Sequence, residues 1–315
     1  MGEALGGFAL GLLLLALGGD SAIKGASGLA QRLGLKPFTA GLLLLAFGTS
    51  LPELAVNLRA LAQQQPQLAL GNAVGSTLVN LGLTLGVAAL AAPLLQRARM
   101  HVPLLVLLAV AALALMVFGL DGAVGRVEGV ALLAGFVAVV AVLLRRARHE
   151  PQAVQGAVTA FAATRTGLGL NLVRLAIAIA LLYYGARWVV AGGLALGDAW
   201  GLSPLLAGLL PVAIGTALPE IATAVVAARR GHGDMVAGHV IGASLFNLLV
   251  IVGGMAVLQP LALPASFVKL ELPAVVVLAL VLYPMLRSDH RVGRGEGAVL
   301  VAVFGAWVAL ELLLL

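Results

Sequence analysis

The sequence predicts an all-α integral membrane protein of ten transmembrane helices, arranged as two inverted-topology repeats of five. Three observations carry that prediction: an apolar composition, ten runs long enough to cross a bilayer, and a motif that returns 167 residues after its first appearance.

Hydrophobic residues make up 62% of the 315 positions and charged residues only 10%, with a mean hydropathy of +1.10. A soluble domain is far more polar. Runs able to span about 30 Å of hydrocarbon are Leu5 to Ser27, Phe38 to Leu61, Leu68 to Leu90, Pro103 to Leu120, Val127 to Leu144, Leu168 to Leu196, Pro204 to Ala228, Met235 to Leu258, Phe267 to Leu286 and Gly297 to Leu315. Backbone in lipid must satisfy its own hydrogen bonds, and these runs lack the alternation of barrel strands, so they are expected to be helices. The first run begins near Met1 without a basic region or a small-residue cleavage site, and is read as a retained span. Cysteine is absent, which excludes disulfides and thiolate chemistry.

The formal charge of +6 does not point to nucleic acid, because the basic residues lie in short loops and no soluble domain carries them. They report topology instead. Counting loops alternately, one side collects 15 of the 19 Lys and Arg, from Lys24 and Arg32 through Arg145, Arg146 and Arg148 to Arg294, while the other keeps Arg59, Arg126, Arg187 and Lys269. The positive-inside rule makes the rich side cytoplasmic and places both termini outside, in a multi-pass protein of the plasma (inner) membrane.

The recurring motif is "GTSLPE" at Gly48 to Glu53 and "GTALPE" at Gly215 to Glu220. Aligned on it, 20 of the 48 positions from Gly34 to Leu81 match their partners, and "GNAVGSTLVN" at Gly71 to Asn80 faces "GHVIGASLFN" at Gly238 to Asn247. Five spans separate the copies, so the second crosses the membrane in the opposite sense. Inverted repeats characterise secondary transporters that bind near the midplane. The expected organisation is a first repeat over 1–148 with its motif at 48–80, a polar cytoplasmic linker over 149–166, and a second repeat over 167–315 with its motif at 215–247.

Within the first motif Thr49 and Glu53 are four apart and share a helix face, and Pro52, lacking an N–H, disturbs the preceding turn. One carboxylate, one hydroxyl and several backbone oxygens then fall within a turn, a donor set suited to a hard cation such as Ca²⁺ or Na⁺. Ser76 and Asn80 share a face of the opposing element, Asn247 repeats Asn80, and Gly71/Gly75 and Gly238/Gly242 permit close helix approach. A carboxylate at membrane depth costs a few kcal/mol, about 2.5–3.5 for Asp on insertion scales, and calls for a compensating cation. Glu53 and Glu220 carry two charges, matched by one Ca²⁺, two Na⁺ or two protons. If only loaded forms switch sides, exchange of one cation for another follows.

These motifs resemble the two alpha repeats of the cation/calcium exchanger superfamily, most closely its prokaryotic sodium/calcium exchanger branch, over the whole chain. The resemblance implies Ca²⁺ coordination by Glu53 and Glu220 with the backbone oxygens of Thr49 and Thr216. It implies Na⁺ shared among those groups, Ser50, Ser76 and the carbonyls of Ala46 and Ala213, with Asn80 and Asn247 lining the centre. It also implies alternating access by sliding of the first and sixth spans, with Ca²⁺ and Na⁺ as substrates and no resident cofactor.

Three positions depart from the family pattern: Ala217 and Ala243 stand where relatives carry serine, and Asn247 where some carry aspartate. Ser244 is one residue out of register, about 100° around the helix. Proton/calcium exchange on the same fold is the alternative to sodium coupling, and a cation channel the further one. His239 stands where the first repeat has Asn72, and proton sensing there is the functional reading beside a plain structural one. Asp20 and Lys24 read as a local ion pair. No HExxH, cysteine nucleophile or Walker A pattern supports an enzyme. The loops are too short for a regulatory domain, and no protein partner beyond the lipid bilayer is implied.

Overall fold

The computed structural model describes residues 2–287 and 291–313. The elements in chain order are α1 (Gly2–Arg32), α2 (Pro37–Ala46 with Gly48–Ala62), α3 (Pro66–Ala91), α4 (His101–Asp121), α5 (Arg126–Ala147), α6 (Gln152–Ala162), α7 (Leu168–Trp200), α8 (Pro204–Arg229), α9 (Gly233–Leu258), α10 (Phe267–Arg287) and α11 (Arg294–Leu313). Among the described residues nine helices are long and apolar enough to cross a membrane, and α2, bent by 44° between its halves, makes a tenth span. Each predicted run falls on one of these; positions 314 and 315 of the last lie outside the described residues.

The chain divides into two compact units that each draw on both sequence repeats. The first comprises the chain up to Asn72 with Glu150–Thr216, the second Ala73–His149 with the chain from Ala217 onward. The division runs through α3 and α8.

In the first unit α1 lies along α7, and small residues set the approach: a Cβ on Gly11 would sit 2.8 Å from the Val189 nitrogen and 2.9 Å from the Gly185 carbonyl oxygen. The stretch expected to be a polar linker instead contains α6, whose Val154, Val158 and Ala162 are buried at helical spacing. The helix packs on the first half of α2, with the Val158 carbonyl against Gly41. At its C-terminal end the Ala162 carbonyl accepts from Ser27 Oγ at 2.7 Å and Gln31 Nε2 at 2.8 Å. The segment is therefore tied to α1 and α2.

The second unit shows the inverted repeat in its pairings. Among the described residues, four two-residue strands form two antiparallel ribbons: β1 (Leu94–Leu95) pairs with β4 (Arg291–Val292), and β2 (Ala123–Val124) with β3 (Leu261–Ala262). Leu94 faces Val292 in one ribbon, and Leu261, its repeat partner, faces Val124 in the other. The helices obey the same exchange. A Cβ on Gly86 would meet the Gly297 carbonyl at 2.9 Å, and one on Gly129 the carbonyl of Gly253, the partner of Gly86, at 2.7 Å. Each helix crossing thus joins one repeat to the other.

Candidate ion-binding site

Both copies of the motif sit on spans that contain irregular helix, but the irregularity differs in kind and place. In α2 the α-helix stops at Ala46, Phe47 turns off axis at φ −129° and ψ −31°, and Gly48–Ser50 form one 3₁₀ turn before helix resumes at Leu51. Pro52 thereby lands in the first turn of a new helix, where its missing N–H costs nothing. In α8 the disturbance comes earlier, as a π-turn over Gly208–Val212 that holds Pro211, and Ala213–Arg229 then runs through Pro219 unbroken. The first repeat has Leu44 in place of Pro211. An aligned motif therefore meets two backbones, and only one of them breaks.

In the first unit Glu53 is 1% exposed and stands in the first turn of the resumed helix, an end that favours negative charge. Its backbone carbonyl accepts from the buried Asn57 amide at 2.8 Å. Ser50 is fully buried and its Oγ has no hydrogen-bond partner among the described residues. Thr49 donates to the Leu45 carbonyl at 3.3 Å, and Thr216 to those of Val212 and Ala213 at 3.0 and 3.2 Å. Both threonine hydroxyls thus point back along their own helices, and the Ala213 oxygen already accepts one of them.

Helix α1 runs past both motif starts. Ile23 neighbours Gly48 and Gly19 neighbours Pro52, while Phe8 and Leu12 pack against Gly215. Those two stretches of α1 are about 16 Å apart along its axis. Small residues also bring α3 onto α8 within this unit: a Cβ on Gly71 would run into the Leu205 carbonyl, and one on Gly208 into that of Leu68.

The second unit holds Ser76, Asn80, Glu220, His239 and Asn247. Asn80 is 1% exposed and Asn247 fully buried, and they occupy matching places in two π-helical segments, Val79–Thr84 in α3 and Asn247–Val252 in α9. Such bulges interrupt the regular ladder and recur at functional sites. Neither side-chain polar atom of Asn247 has a hydrogen-bond partner among the described residues, an arrangement costing about 1–3 kcal/mol for each orphaned group unless something binds there. Asn80 Oδ1 accepts a long 3.5 Å contact from Thr84. The carboxylate oxygens of Glu220 have no hydrogen-bond partner among the described residues, and Oε2 stands 3.6 Å from His239 Nε2. Ala217 and Ala243 are 1% and 0% exposed, so a serine at either would place its hydroxyl inside the protein. The Ser244 hydroxyl donates to the Val240 carbonyl at 2.8 Å, back along its own helix.

Among the described residues no three His, Cys, Asp or Glu side chains gather as a resident metal centre. The polar inventory of the motifs is instead one largely enclosed carboxylate in each copy with amides, hydroxyls and main-chain oxygens. The turn before Glu53, expected to be disturbed by Pro52, is indeed irregular; the π-turns at both asparagines and the helix in the linker were not anticipated, and of these only α6 had a readable signal, the spacing of Val154, Val158 and Ala162.

Ten spans in an inverted repeat, with a carboxylate and an amide recurring at aligned positions, define the class of secondary membrane transporters. Residues 3–145 and 170–313 match the family model described as sodium/calcium exchanger protein, and the chain belongs to that family. It is 33% identical over 312 residues to Inner membrane protein YrbG of Escherichia coli, covering 96% of this chain and 94% of that one. It is 27% identical over 334 residues to the sodium/calcium exchanger MaX1 of Methanosarcina acetivorans, covering 95% of each. The solved structure of the sodium-calcium exchanger NCX_Mj, soaked with Na⁺ and Sr²⁺, matches with a TM-score of 0.68 at 27% identity over 98% of each chain.

Proposed function

We propose that the chain exchanges Ca²⁺ for Na⁺ across the plasma (inner) membrane, both termini outside, by alternating access to a midplane site in which Glu53 and Glu220 provide the charge. The observation that carries this reading is the recurrence of the carboxylate at the same position of both repeats, each on a span whose helix is interrupted at or before the motif. A buried pair of negative charges is costly without a cation, and one Ca²⁺ or two Na⁺ neutralise it equally. In this reading Thr49, Thr216, Ala46 and Ala213 contribute main-chain oxygens, Ser50 and Ser76 hydroxyls, and Asn80 and Asn247 the amides between them. The orphaned Ser50 hydroxyl and Asn247 amide support those assignments. Packing of α1 against both motif starts supports the sliding of α1 with α7 as the moving element. The chain is a carrier rather than an enzyme, and its ions are substrates.

Proton/calcium exchange is the second reading, favoured by the lost hydroxyls at Ala217 and Ala243. Calcium uptake into proteoliposomes under an outward sodium gradient, with the proton gradient collapsed and the potential clamped, separates the two. Sodium-driven uptake supports the proposal. Uptake driven by protons and indifferent to sodium overturns it, and calcium flux needing no counter-ion indicates a channel.

A further inference from the structure

The imidazole of His239 is absent from the first repeat, which has Asn72 at that point, and it adds a nitrogen donor beside a carboxylate. The two side chains are 9% and 12% exposed, on α9 and α8 within the second unit, and His239 Nε2 lies 3.6 Å from Glu220 Oε2. That distance is too long for a hydrogen bond, whose N···O separation is about 2.7–3.2 Å. It is close to the separation of two ligands on one small metal ion. Bonds of about 2.0–2.2 Å at a tetrahedral angle put the donor atoms about 3.3–3.6 Å apart. Imidazole is a poor donor for Ca²⁺, which selects oxygen, and a good one for first-row transition metals.

We propose that His239 and Glu220 act together as two ligands for a first-row transition-metal dication of the Mn²⁺ to Zn²⁺ series, so that this chain admits such ions as substrates in competition with Ca²⁺. The proposal rests on the transport reading for its consequence but not for its binding chemistry. Main-chain oxygens or water complete the shell, as in other sites that bind and release their metal. Glu220 holds either class of ion, and His239 sets the preference between them.

The test uses Co²⁺ as a spectroscopic probe and Mn²⁺ as a transported one, on the full-length protein. Wild-type protein should give Co²⁺ visible absorption bands characteristic of mixed nitrogen and oxygen ligation. His239→Asn, which installs the first repeat's own residue, should shift those bands to an all-oxygen pattern. It should also lower the ratio of Mn²⁺ to Ca²⁺ affinity by about tenfold or more, since even indirect supports of a metal ligand are worth 10–100-fold. His239→Gln guards against a packing artefact and should show the same direction. Identical Co²⁺ spectra in wild type and both variants, or Mn²⁺ and Ca²⁺ affinities that fall in parallel, would overturn the proposal. Failure of Ca²⁺ exchange in the wild type with the Co²⁺ result intact would instead count against the transport reading alone.

Discussion

The Ser27 hydroxyl donates to the Ala162 carbonyl over 2.7 Å, and Gln31 Nε2 reaches both that oxygen and Ser27 Oγ, at 2.8 and 2.9 Å. This knot joins α1 to the end of α6 across 135 residues of sequence. Beside it the Asn171 amide donates to the Arg165 carbonyl at 2.9 Å, and Arg174 reaches Thr164 Oγ1 at 2.9 Å. The connection between the repeats is thereby fastened to the first unit.

Removing Ser27 leaves the Ala162 oxygen one donor short in a buried place, so Ser27→Ala should destabilise α6 docking by about 1 kcal/mol, and Ser27→Ala with Gln31→Ala by about 2. Amide hydrogen exchange over 152–163 should accelerate in the double variant while exchange in α4 and α5 stays as in wild type. Uniform loss of protection would mean that the knot supports the whole protein rather than this helix.

How much of this was readable depends on how local the cause is. The spans follow from hydropathy, and Asp20 with Lys24 formed the 2.6 Å ion pair their spacing suggested. The repeat fixed the candidate residues because Glu, Pro, Thr and Asn recur against a background of Leu and Ala. The backbone around them was another matter. "GTSLPE" follows a break at Phe47 while "GTALPE" lies in continuous helix preceded by a π-turn that holds Pro211, where the first repeat has Leu44, eight residues before each motif proline. The division into units could not be read from contiguous repeats, because helix pairs such as α3 with α11 and α5 with α9 are formed between repeats. Pairing of that kind lives in tertiary packing and leaves no periodic trace.

Gly71 has no room for a side chain, since an added Cβ would strike the Leu205 carbonyl and come within 3.0 Å of the Leu209 nitrogen. Gly71→Ala should therefore push α3 from α8 and cost about 1–3 kcal/mol. Thermal unfolding in detergent should show the drop. Gly254→Ala is the control, as a Cβ there meets nothing within 4 Å, and should leave the transition unmoved or slightly raised. Equal losses in both would remove the close approach as the cause.

Ala217→Ser and Ala243→Ser each return a hydroxyl to a fully enclosed position at little cost in volume. If those hydroxyls belong to flanking sodium positions, the variants, and the double variant most, should lower the sodium concentration for half-maximal exchange several-fold. Calcium affinity measured without sodium should change less. Unaltered sodium dependence in the double variant would show that the departures from the family pattern do not govern coupling.

Glu271 and Glu311 are 1% and 6% exposed, each with a carboxylate oxygen that has no hydrogen-bond partner among the described residues, and neither has a place in the proposed transport. Neither has an acidic repeat partner, since the aligned positions are Leu104 and Leu144. Glu53 and Glu220, by contrast, are acidic in both copies. The two sets should separate under the same substitution. Glu53→Gln or Glu220→Gln keeps the shape of the side chain and removes the charge that a Ca²⁺ needs, so either should abolish calcium exchange while the protein still folds. Glu271→Gln or Glu311→Gln exchanges a buried carboxyl that the proposal leaves without an ion for a neutral amide, and should retain exchange with thermal stability unchanged or raised. The measurement is calcium flux and melting temperature on all four variants. Full exchange in Glu53→Gln and Glu220→Gln would refute the two-carboxylate site, and loss of exchange in Glu271→Gln or Glu311→Gln would bring those carboxylates into the transport path.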